Sequence, residues 1–79
     1  MITIWDANIE VKIDDRFHVI RSAREAVAFL KKYWPDNRSA SYATALKVCL
    51  DAANGVVTGA EARAAFETAA REAGILRQT

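Results

Sequence analysis

The sequence predicts an α+β domain in which an antiparallel β-hairpin precedes three helices. Three observations carry that reading. Ile9-Glu10-Val11-Lys12-Ile13 alternates apolar and polar residues, the period of a half-buried strand, and Phe17 to Arg21 is a second run of β-formers. From Ala23 onward the apolar spacing changes to three and four residues, the period of an amphipathic helix. Two Ser/Thr-x-x-Glu boxes, Ser22 to Glu25 and Thr58 to Glu61, and two glycines after apolar runs, Gly55 and Gly74, divide the remainder into separate helices. The order is ββααα in a single compact domain spanning residues 1–79.

The strands are placed at about 9–14 and 17–21, with Asp14-Asp15-Arg16 as the loop. A three-residue loop pairs Ile13 with Phe17 and Val11 with Val19, which turns Phe17 and Val19 inward and Ile20 outward. A slip of one residue buries His18 and Ile20 instead, because side chains alternate along a strand. Either register leaves apolar surface on both faces of the hairpin. Ile2, Ile4 and Trp5 extend the first strand or form a short one of their own.

The first helix is expected over about 23–34. Ala23, Ala26, Val27, Leu30, Tyr33 and Trp34 share a stripe that Phe29 widens, and Pro35 disfavours helical geometry at Trp34. The second helix is expected over about 40–54. Tyr42, Ala45, Leu46, Cys49, Leu50 and Ala53 form its stripe, and Val48 and Ala52 extend the apolar surface beyond it. A helix this apolar around its girth is central to the fold or lies in an interface. The third is expected over about 59–73, with Ala62, Ala65, Phe66, Ala69, Ala70 and Ala73 toward the core. Its alanines permit close approach, and Phe66 is its one large anchor.

Composition excludes several function classes. The 79 residues carry eleven Lys and Arg against ten Asp and Glu, with no basic block, which disfavours nucleic acid and anionic membrane as partners. One Cys and one His leave neither an internal disulfide nor an ordinary zinc site, so no metal and no cofactor is expected. Met1-Ile2-Thr3-Ile4-Trp5-Asp6 lacks the basic start and apolar run of a signal peptide, and no stretch approaches the ~20 apolar residues of a membrane span. With the lone Cys, these features favour a cytoplasmic protein. A chain this short is expected to have a stability on the order of 5 kcal/mol.

The ordered set Arg24-Glu25-Ala26, Phe29-Leu30, Tyr33-Trp34-Pro35, Cys49-Leu50-Asp51-Ala52, Gly55, Ala62-Arg63-Ala64-Ala65-Phe66 and Ala70-Arg71-Glu72-Ala73-Gly74-Ile75 resembles a known family. It is similar to the small bacterial proteins of domain of unknown function family 982, from the first strand to Ile75. The resemblance implies the fold and supplies no catalytic residues.

No catalytic set can be assembled from the residues. His18 has no Cys or Asp at ligand spacing and reads as an exposed or edge-strand histidine. Cys49 lies on an apolar stripe and reads as an inert core residue. Asp14-Asp15 reads as a solvated turn, and Trp34 as a lid over the end of the first helix. The helix pair around Gly55 suggests a helix-turn-helix, but the third helix offers Glu61, Arg63, Glu67, Arg71 and Glu72, a net negative face that does not suit DNA. Two functional readings remain. The leading one is a non-enzymatic protein-interaction module, a homodimer or a binder of a protein partner, using surplus apolar surface at Ile20, Val48 and Ala52. The alternative is a small-ligand or anion-binding protein using Arg38, Ser39 and Ser41 at the N-terminus of the second helix, where free N–H groups favour negative charge.

Overall fold

The computed structural model describes residues 4–13, 15–34 and 40–76. Strands β1 (Ile4–Ile13) and β2 (Arg16–Ser22) form the antiparallel hairpin, followed by α1 (Ala23–Lys32), α2 (Ala40–Ala53) and α3 (Gly59–Glu72). The predicted order and type of every element stand. α1 and α3 cover one face of the two-stranded sheet, with α1 against β2 and α3 against β1, and α2 packs on α1 and α3.

The signals that delimit the helices act as physical chemistry requires. At Thr58 both halves of the capping box form: its hydroxyl accepts from Glu61 N–H at 3.2 Å and its own N–H donates to Glu61 at 3.3 Å. At Ser22 only the forward half forms, with Glu25 N–H at 3.3 Å from the hydroxyl, and Ser22 also closes β2. Gly55 (φ 80°) and Gly74 (φ 75°) take the left-handed conformation that ends α2 and α3. In each the bonds are those of a Schellman motif: Gly55 N–H to Ala52 O and Val56 N–H to Asp51 O, then Gly74 N–H to Arg71 O and Ile75 N–H to Ala70 O.

The register is the shifted one, and this corrects the three-residue loop. Ile13 faces Arg16, Lys12 faces Phe17, Val11 faces His18, Glu10 faces Val19 and Ile9 faces Ile20, leaving a two-residue loop with Asp15 at φ 65°. Asp tolerates that conformation better than most residues. Ile20 is therefore in the core at 4% exposure, and Phe17 and Val19 are outside. The way the chain enters α1 explains the choice. Ser22 shares a face with Ile20, and both Ser22 and Ala23 are buried where strand passes into helix. On that same face His18 packs its ring against Phe29 and Tyr33, each with centroids 5.1 Å away. The pairing is irregular between Ile4 and Ile9, and Trp5 in that stretch is buried against Phe66.

Phe66 is the hub of the core. It is fully buried, and its ring lies 5.9 Å from Trp5, 6.1 Å from Phe29 and 6.0 Å from Trp34. Among the described residues Trp5 and Trp34 bury their indole N–H groups without an acceptor, and a buried donor left unpaired costs about 1–3 kcal/mol. Tyr42 avoids that cost by donating to Leu30 O at 3.0 Å, satisfying a carbonyl of the last turn of α1 and tying α1 to α2. On α2 the buried line is Tyr42, Ala45 and Cys49, whereas Leu50 and Ala53 turn outward. Val48 and Ala52 are half-buried against the core, so the apolar girth of α2 is spent on its central position between two helices.

Candidate interaction surface

Backbone hydrogen bonds define which sheet edge is open. Lys12 N–H donates to Ile75 O at 2.8 Å, so it points away from β2. Val11 forms a bridge with Leu76, and the segment after α3 thus covers the outer edge of β1. Because hydrogen bonding alternates along an antiparallel pair, the residue opposite Lys12 and every second residue from it turn their backbone groups to the far side of β2. These are Phe17, Val19 and Arg21. Among the described residues β2 pairs with β1 alone.

Large apolar side chains gather at that edge. Phe17 is 55% exposed and Val19 38% on the sheet face turned from the helices, and Tyr33 is 51% exposed beside His18 on the opposite face. These are three of the five large exposed apolar residues among those described; the others, Leu50 and Val56, lie on and after α2. Lys12 holds its ammonium 5.5 Å above the Phe17 ring and 3.8 Å from the Asp15 carboxylate, so Asp15 lies on the same face as Phe17. Arg21 is exposed, with no ion pair among the described residues.

The residues singled out from sequence fall as follows. Ile20 is interior, and its expected place on the surface is corrected by the register. Val48 and Ala52 keep only part of their surface free. Arg38 and Ser39 lie outside the described residues. Ser41 lies inside α2 and donates to the Glu72 carboxylate at 2.6 Å. A carboxylate is thus already seated at the first turn of α2, which works against a second anion. The adjoining groove, of about 260 Å³, is lined by Ala40, Ser41, Thr44, Ala65 and Thr68 and carries no cation. No group of His, Cys, Asp and Glu among the described residues is arranged to hold a metal, and no helix among them is long and apolar enough to cross a membrane. From sequence both edges of the hairpin are open to pairing with a second copy, and Tyr33 belongs to the core stripe of the first helix; that β1 is the covered edge depends on the chain's far end, and the exposure of Tyr33 corrects its expected burial.

Cys49 is fully buried, its thiol 3.8 Å from Ala62 O. Burial pushes its pKa up from 9.0 to about 12. The thiol is therefore protonated at neutral pH, and thiol reagents should label the folded protein far more slowly than the urea-unfolded chain. Equal rates would mean that Cys49 is accessible. The same shift predicts a stability change at alkaline pH. The unfolded thiol ionises near 9.0 and the folded one near 12, so its contribution is intact below pH 9 and declines as pH rises toward 12. The slope reaches about 1.4 kcal/mol per pH unit. Urea melts at pH 8 to 11 should show this decline in the parent, and a shallower one in Cys49→Ala.

No curated protein matches this chain. Among solved structures it is similar to the NMR structure of the Agrobacterium tumefaciens protein Atu1219, at 27% sequence identity and a TM-score of 0.80, over 96% of this chain and 77% of that one. The model of the family described as "Protein of unknown function (DUF982)" matches residues 7–77, from β1 to just beyond the β-bridge at Leu76. The match spans hairpin, helices and the strand-like C-terminal segment, and the chain belongs to the DUF982 family.

Proposed function

We propose that the protein is a non-enzymatic interaction module that forms a cytoplasmic homodimer by pairing β2 with β2 of a second copy. The observation that carries the reading is the gathering of Phe17, Val19 and Tyr33 around the edge of β2 that no described strand covers. An uncovered edge is a template for another strand, and a two-stranded hairpin is marginal alone. Pairing two such edges about a two-fold axis makes a four-stranded sheet and covers apolar surface on both faces. Supporting the same reading, the outer edge of β1 is occupied by its own C-terminal segment, which leaves β2 as the side for growth.

Light scattering across a hundredfold dilution tests it. The molar mass should fall from dimer toward monomer on dilution, and the melting temperature should rise with concentration. Val19→Pro removes an N–H that faces the open side and leaves the ladder to β1 intact. That variant should fold and stay monomeric. A parent that is monomeric at every concentration, or a Val19→Pro variant that dimerises as well as the parent, would sink the proposal.

A further inference from the structure

Two copies of β2 pair antiparallel only in alignments that set their outward-pointing residues opposite one another. Three such alignments keep most of the strand overlapped, with the two-fold axis at His18, Val19 or Ile20. An axis at Phe17 overlaps only residues 16–18 of β2. The three differ in what they bring together on the outer face. An axis at Val19 sets Phe17 against the partner's Arg21 and leaves Asp15 facing the start of α1. One at Ile20 sets Arg21 against the partner's Val19. Only the axis at His18 places Arg21 opposite the partner's Asp15 and Val19 opposite the partner's Phe17, each twice by symmetry.

The positions of these groups favour that alignment. The Asp15 side chain is 99% exposed, and its contact with Lys12 is long at 3.8 Å. It shares a face with Phe17, as do Val19 and Arg21 by strand alternation. On the other face the same axis brings His18 to the partner's His18, with exposed Tyr33 beside each. Resting on the homodimer reading, we infer that β2 meets its copy about an axis at His18, and that Asp15 and Arg21 are the charge pair that sets the register. Opposite charges across strands stabilise a pairing and like charges destabilise it.

A complementation experiment decides it. Asp15→Lys puts two cations together at each site, and Arg21→Glu puts two carboxylates together. Each variant alone should raise the dimer dissociation constant by about tenfold, since two pairs reverse sign. An equimolar mixture restores an attractive pair at both ends of a heterodimer and should return to within about threefold of the parent, an effect that fades in high salt. Asp15→Asn, which keeps a residue suited to φ 65°, should weaken the dimer a few-fold and controls for strain at the turn. If the parent dimerises, Val19→Pro abolishes the dimer and the mixture fails to recover, the edge reading stands and this register is wrong. A parent that never dimerises removes both.

Discussion

Ile20→Lys should leave the chain unfolded, whereas Val19→Lys, one residue away, should fold like the parent. Ile20 is in the core opposite Ile9, itself 3% exposed, and shares its face with buried Ser22. A lysine there would bury an ammonium or force it neutral, and an uncompensated buried charge costs about 3–5 kcal/mol. That is comparable with the whole stability expected of a domain this size, on the order of 5 kcal/mol. Val19 points to the helix-free face of an edge strand, where lysine is well tolerated, so the change should stay within about 0.5 kcal/mol. Circular dichroism and thermal melts at low concentration, where the monomer dominates, distinguish the two. Parent-like melting of Ile20→Lys would mean that the hairpin takes the other register, with Ile20 outward.

The second large effect is expected at Phe66. Truncation to alanine empties the space between Trp5, Phe29 and Trp34, and removal of a buried phenylalanine costs about 3–5 kcal/mol. The core has little to collapse with, because the neighbours of Phe66 on α3 are alanines. Urea unfolding should show a largely denatured population before denaturant is added. Both tryptophans lie against the missing ring, so near-ultraviolet dichroism should lose its fixed aromatic signal. Phe66→Leu keeps most of the volume and should retain the fold at a clearly smaller cost. A Phe66→Ala variant less than about 1 kcal/mol below the parent would show that the three rings close over the gap and that Phe66 is not the anchor.

The sequence by itself determined the type and order of the elements and the stops at Gly55 and Gly74, whereas β1 begins at Ile4, five residues before its expected start. Alternation in Ile9 to Ile13, helical spacing after Ala23, the Thr58 box and the two glycines are local signals, and each is realised by bonds within a few residues of chain. The burial of Cys49 was legible for the same reason, because its place on an apolar helical stripe already implied it. Only the tertiary structure decided which face of β2 is inside. The other register would bury Phe17 and Val19, the more apolar pair, so side-chain hydrophobicity on β2 does not make the choice, and the difference lies in how Phe29 and Tyr33, eleven and fifteen residues further on, stack against His18. That choice moved Ile20 from surface to core and brought Phe17 and Val19 out. The open edge was likewise decided at long range, by Ile75 and Leu76 closing over β1 from the far end of the chain. A one-residue slip leaves local propensity and composition unchanged while reversing every side chain, so the candidate surface was fixed by packing between distant segments and not by any local pattern.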